Sequence, residues 1–198
     1  MHIDVYFDYT CSFAYNTAVW LQKVKGQLGA KLLIHWRYFS LEQVNNHEGP
    51  QWKLWEQPDT YASRGLRAFW AAEAARRQGE AALDRIHMAL LKARHEQSRD
   101  IADLSVLTEI ARGAGLDIGK FEQDITDRRL LTALADSHTA AAETLGVFGT
   151  PTLVFPERQV FYLKMSAPPP PQDCLSVFED LYRLVEERRY ILEVKRPH

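Results

Sequence analysis

Two cysteines, Cys11 and Cys174, are the only thiols in the chain. Cys11 stands in the string FDYTCSFAY, directly after an alternating apolar segment and at the head of a helical pattern. That position carries chemical weight. The first N–H groups of a helix lack intrahelical partners, and the helix dipole places roughly +0.5 of a charge there. A thiolate is favoured at such a site, where cysteine pKa values fall from about 8.5 into the range ~3.5–7.5. The apolar Phe13 and Ala14 beside it act in the opposite direction through desolvation. The plainer reading is a small buried cysteine that does no chemistry. A second feature lies far along the chain. Thr150–Pro151 precedes an apolar run in GVFGTPTLVF, and proline cannot donate to a strand ladder. If such an X–Pro bond is cis, the residue before it has a backbone free to pair with an extended ligand.

The elements that must position these residues can be read from periodicity. Residues 2–8 alternate, with Ile3, Val5 and Phe7 on one side, as expected of a strand. Helical spacing follows from Ser12 to about Leu28, ending at Gly29. Residues 31–41 read as a second strand, which makes a β–α–β start with a right-handed crossover. Residues 42–58, with Gly49, Pro50 and Pro58, read as a loop. A run of helices is expected over 59–78, 80–97, from Asp103, from Asp117 and over 128–145, closed by Gly146. Strands at 152–155 and 160–163, a proline run at 168–171 and an amphipathic helix over 173–189 complete the chain. The two ends are therefore expected to assemble one sheet, with the helices between them inserted.

Composition narrows the function. A chain of 198 residues that is 46% apolar is long enough for a real core. Five Trp, eight Tyr and nine Phe rule out a disordered chain. Two cysteines exclude a disulfide-stapled scaffold and a zinc ribbon. With 24 basic and 26 acidic side chains and a net charge of −2, there is no cationic surplus to hold a phosphate backbone, so no nucleic-acid partner is expected. Asp4 and Asp8 interrupt the one candidate leader, and no window reaches the roughly 20 apolar residues of a membrane span. No membrane partner and a cytoplasmic location are expected.

The strings FDYTCSFAY (7–15), SRDIADLSVLTEIARGAGLD (98–117) and LGVFGTPTLVF (145–155) together resemble the DsbA-like thioredoxin-fold family over nearly the whole chain. Within it they look most like the FrnE-like branch, related to 2-hydroxychromene-2-carboxylate isomerases and kappa-class glutathione transferases. The resemblance implies an α/β thioredoxin-like domain over residues 1–42 and 149–198, with an all-α helical insertion over 43–148. It places Cys11 at the nucleophilic cysteine position, which is serine in the isomerases and kappa transferases. It gives Ser12, Phe13, Thr150 and Pro151 substrate-binding roles, with Pro151 in the cis-proline loop. The family's second cysteine falls at Ala14, so the motif here is Cys-Ser-Phe-Ala. Tyr15 matches an aromatic that follows the motif. Ser166 and Ala167 fall where relatives carry a Ser-Gly-Ala-like segment, from which the proline run departs.

Ala14 cannot close a disulfide, so a self-contained dithiol cycle is in doubt. A monothiol oxidoreductase, acting through a mixed disulfide with a protein or small-thiol substrate, is the leading expectation. It needs no tightly bound cofactor and takes glutathione as co-substrate. The alternatives are a glutathione-dependent isomerase or transferase, and a non-enzymatic binding protein on the same fold. The resemblance also makes a homodimer an expectation. Cys174 offers a different resolving thiol if it lies near Cys11, which requires Cα atoms within about 7 Å. The histidines show no zinc-motif spacing, and no metal is expected. His138 precedes the Pro151 loop and is a candidate to face a cleft. The aromatic and basic residues Trp52, Trp55, Tyr61, Arg64, Arg67, Phe69 and Trp70 either line a pocket or form ordinary helical core.

Overall fold

In a computed structural model, which describes residues 1–196, four strands form a single sheet with eight helices around it. Strand β1 (His2–Phe7) is followed by α1 (Ser12–Leu28), β2 (Leu33–Tyr38) and the single turn α2 (Leu41–Val44). Five helices follow: α3 (Leu66–Arg76), α4 (Glu80–His95), α5 (Leu104–Gly113), α6 (Ile118–Asp124) and α7 (Thr132–Leu145). The chain then returns to the sheet as β3 (Thr152–Phe155) and β4 (Gln159–Tyr162) and ends in α8 (Cys174–Glu187). The sheet order is β2-β1-β3-β4. β1 pairs parallel with β2 and antiparallel with β3, and β4 pairs antiparallel with β3. This is a mixed α/β thioredoxin-like architecture, with both ends of the chain in one sheet.

Alternation along β1 decides what each sheet face covers. Ile3 and Val5 pack with Trp20, Leu21 and Val24 of α1 and with Phe178 and Val185 of α8. Tyr6 points the other way and meets Phe39, Ala141, Val147 and Val154. α7 therefore lies against the sheet, and the purely helical layer is α3–α6. Its core merges with the end of β1 and the start of α1: Phe7, Tyr9, Cys11 and Ala14 share one cluster with Phe69, Ile86, Leu90 and Phe121.

The helix boundaries have local causes. The Asp103 carboxylate accepts the Ser105 N–H and that of Asp117 accepts the Lys120 N–H, each satisfying an orphan donor of a first turn. Gly146 ends α7 at φ 67°, a left-handed conformation that suits glycine. One expected helix is shorter than its pattern. Residues 59–65 do not continue α3 backward, because the Ser63 hydroxyl accepts the N–H groups of Gly65 and Leu66 and sets the start of the helix there. β2 is likewise confined to Leu33–Tyr38, and the segment after it contains the short α2, capped by Ser40 accepting the Gln43 N–H. Among the described residues, no helix is long and apolar enough to cross a membrane.

Candidate active site

Cys11 is the residue immediately before α1, in extended conformation (φ −87°, ψ 115°). The turn that delivers it is built on Asp8. The Asp8 carbonyl accepts the Cys11 N–H at 3.1 Å. One carboxylate oxygen accepts both the Thr10 N–H and the Thr10 hydroxyl, each at 2.7 Å. The other accepts the Leu41 N–H at 2.7 Å, which ties the turn to the end of β2. Burial pushes the Asp8 carboxyl up, while these hydrogen bonds pull it back toward its ionised form. Glycine at position 65 lets α3 approach this turn, since a Cβ there would lie 3.0 Å from Thr10 Cγ2.

The Thr150–Pro151 peptide bond is cis. The loop meets Cys11 directly: the thiol donates to the Thr150 carbonyl at a sulfur–oxygen distance of 3.3 Å. The Pro151 carbonyl accepts the Leu163 N–H at 3.1 Å and fixes the loop to the segment after β4. Thr150 and Pro151 are buried, and Cys11 is only 7% exposed. Ser12 is exposed and Phe13 half-buried, at the solvent edge of the first turn of α1. The structure thus brings Cys11 to Thr150 and Pro151, with Ser12 and Phe13 beside them.

Several residues at this rim are not evident in the sequence. Lys164 places its ammonium over the Phe13 ring at 5.3 Å and the Tyr162 ring at 5.7 Å, as a cation over aromatic faces. Tyr162 packs against Phe148, which is 65% exposed, and a Cβ on Gly149 would meet Tyr162 at 3.2 Å. Asn16 donates to the Met165 carbonyl at 2.8 Å and holds the segment leading to Ser166 and Ala167 against α1. On another side, the Tyr15 hydroxyl donates to Glu96, its ring stacks on His95 at 5.3 Å, and His95 Nε2 lies 2.9 Å from the Tyr9 carbonyl. Burial and the Glu96 carboxylate push the Tyr15 phenol up to about 12, so it remains a donor. These contacts link the end of α4 to the start of α1, across many residues of chain, and no local pattern announces them.

Three expectations fare differently. Cys174 is not placed to meet Cys11. Its carbonyl accepts the Trp20 indole N–H at 2.9 Å, nine residues down α1, and its thiol faces the Pro169 and Pro170 carbonyls. Nine helical residues span about 13 Å, and the two buried thiols sit in separate apolar clusters, both unpaired. The proline run sets this outcome by carrying the chain toward the middle of α1 before α8 begins. His138 does not face the cleft. Its Nδ1 accepts the Ser40 N–H at 3.1 Å and its ring stacks on Phe39, a packing role. The aromatic and basic stretch divides: Phe69 is core, while Tyr61, Arg67 and Trp70 line a cavity of about 390 Å³ with Ser63 and Arg128.

Comparison with known proteins agrees with this architecture. The chain is 26% identical over 195 residues to an uncharacterised protein of Mycobacterium tuberculosis, covering 98% of this chain and 81% of that one. Its structure is similar to that of the cytosolic disulfide reductase DsbM from Pseudomonas aeruginosa with GSH (TM-score 0.64, 19% identity, covering 93% of this chain and 100% of that one). It is also similar to a 2-hydroxychromene-2-carboxylate isomerase (TM-score 0.66, 16% identity, 98% and 100% covered). A thioredoxin-like oxidoreductase from Silicibacter pomeroyi aligns with TM-score 0.59 at 22% identity, with 96% and 87% covered. The family model for the DSBA-like thioredoxin domain matches residues 2–167, from the first strand through the cis-proline loop and its rim, and the chain belongs to that family.

Proposed function

We propose that the protein is a monothiol–disulfide oxidoreductase in which Cys11 is the nucleophile. The observation that carries this reading is the Cys11 sulfur at 3.3 Å from the Thr150 carbonyl, between the open N–H groups of α1 and the cis-proline loop. Attack by the Cys11 thiolate on a substrate disulfide forms a mixed disulfide and releases one substrate thiolate. Ala14 supplies no second thiol, and Cys174 is packed elsewhere. A small thiol such as glutathione must therefore attack the mixed disulfide. The substrate then leaves joined to glutathione and Cys11 leaves as thiolate, so electrons balance without a further oxidant. Ser12 and Phe13 border the sulfur on the solvent side, Pro151 shapes the groove, and the Thr150 backbone pairs with the bound chain. A cytosolic setting is part of the proposal, supported by two unpaired cysteines and by the likeness to the cytosolic DsbM.

The second reading is a glutathione-dependent isomerase or transferase, in which the thiol of bound glutathione does the chemistry. The exposed Ser12 hydroxyl next to a nearly covered Cys11 favours it. One experiment separates the two. Disulfide exchange with a glutathionylated peptide is measured for the protein and for Cys11→Ser, alongside calorimetric titration with glutathione. The thiol reading expects exchange in the protein and none above the uncatalysed rate in Cys11→Ser. Exchange unaffected by the substitution overturns it. Retained glutathione binding in a protein with no exchange points to the second reading, and absence of both points to a non-enzymatic binding protein.

A further inference from the structure

A second cluster of chemically capable side chains lies at the far end of β1. His2 and Asp4 point to the same sheet face, two residues apart, and the register pairs Asp4 with His35 on the neighbouring strand. α7 does not cover this end of the face, and both histidine side chains are 51% exposed. His2 Nε2 lies 2.9 Å from His35 Nδ1. Asp4 Oδ1 lies 3.6 Å from the former and 3.7 Å from the latter. The three atoms form a compact triangle with its open side to solvent. Two ligands at 2.0–2.2 Å from a tetrahedral ion are separated by about 3.3–3.6 Å. The observed separations bracket that span, so small side-chain rotations suffice.

We infer that His2, Asp4 and His35 form a three-ligand site for a divalent late transition-metal cation, of which zinc is the representative. Two imidazoles and one carboxylate are the ligand set such borderline ions take, and magnesium and calcium, which prefer oxygen, are disfavoured. Coordination takes His2 as its Nδ1–H tautomer and His35 as its Nε2–H tautomer, both neutral. The hydrogen bond between the rings is exchanged for two metal–nitrogen bonds, and water completes the shell. Arg37 opposes binding, because its Nε donates to the same Asp4 oxygen at 3.0 Å. The cation must displace that contact or take the other carboxylate oxygen. The site clips the edge strand β2 to β1. His2 stands about 17 Å and Asp4 about 10 Å along β1 from Phe7, four residues before Cys11, so the site is separate from Cys11 and from the proposed thiol reaction. The sequence spacing does not show it, because two of the ligands are on one strand and the third is on the next.

Calorimetric titration of the full chain with Zn²⁺ tests the site, with Co²⁺ as a spectroscopic probe. The expected result is one ion per chain, a cobalt spectrum without a thiolate charge-transfer band, and no change in Cys11→Ser. Loss of a direct ligand in His35→Gln or His2→Gln should weaken binding by more than about tenfold, since even supporting residues of metal sites are worth 10–100-fold. Arg37→Gln should tighten it. The side chains are on the surface, and circular dichroism checks that each variant is folded. Absence of Zn²⁺ binding, binding undiminished in both histidine variants, or binding lost in Cys11→Ser overturns the inference.

Discussion

At the scale of single residues, Lys164 brings a cation to the rim of the candidate site. Its ammonium rests on the faces of Phe13 and Tyr162 and makes no ion pair with an acid among the described residues. A cation held over the ring of Phe13, two residues from Cys11, raises the local concentration of anionic reagents. Lys164→Glu should therefore lower the rate of Cys11 alkylation by iodoacetate relative to neutral iodoacetamide. A coupling on the order of 1 kcal/mol between partly solvated charges corresponds to about fivefold in that ratio. The effect should shrink at high salt, and an unchanged ratio would remove Lys164 from the cleft's electrostatics. Cys11, Thr150 and Pro151 were legible in the sequence because a strand, a helix start and a Gly-Thr-Pro loop are local patterns. Lys164, Tyr162 and Phe148 were not. Their role comes from the turn of β4 back toward α1, and a lysine after a strand reads locally as ordinary surface.

At the scale of elements, the start of α3 and the turn before α1 approach closely, with no room for a Cβ at position 65. Thr10 is held by two hydrogen bonds to Asp8 and cannot easily retreat from a Cβ at position 65. Gly65→Ala should cost about 1 kcal/mol through overpacking and should change the alkylation rate of Cys11. Gly26 lies on the exposed side of α1, where an added Cβ would meet nothing within 4 Å, so Gly26→Ala should stabilise by about 0.5–1 kcal/mol. Thermal melts of the two variants should move in opposite directions, and melts that move together would contradict this account. Most element boundaries could be read from caps: Asp103, Asp117, Gly29 and Gly146 end or begin helices as their types require. The stretch 59–65 misled because its composition is helical while Ser63 and the Arg128 guanidinium, which donates to the Trp55 and Gln57 carbonyls, recruit its neighbours into a turn.

At the scale of the whole molecule, two histidines are folded into apolar cores as neutral rings. Burial pushes His87 down to about 3; burial, with Lys53 adding to it, pushes His138 down to about 4. An unfolded chain takes up these protons near the ordinary value of 6.5. Both groups are therefore depressed in the folded state. Their contribution is complete above about pH 6.5 and is lost as pH falls toward 4 and then 3, at about 1.4 kcal/mol per pH unit for each ring. Urea midpoints should drop between pH 7 and 5, and His87→Phe should flatten the slope by about one proton. An equal slope in that variant would mean that His87 is not the group responsible. The overall β–α–β and β–β–α ends could be read from periodicity. The depth of these histidines and the packing of α7 on the sheet depend on long-range closure, which no local pattern records.

The bond from the Cys11 thiol to the Thr150 carbonyl sets an order of events. A sulfur engaged in a disulfide has no hydrogen to give, so in the proposed thiol reaction a mixed disulfide at Cys11 frees the Thr150 carbonyl beside the new covalent bond. On that reading the attached chain meets a carbonyl that the protonated thiol had kept occupied. In the same reaction Cys11 leaves as a thiolate, and once the sulfur is protonated its hydrogen competes for the same oxygen and favours release. The proposed exchange would thus tighten on a partner while the two are joined and loosen once the sulfur regains its proton.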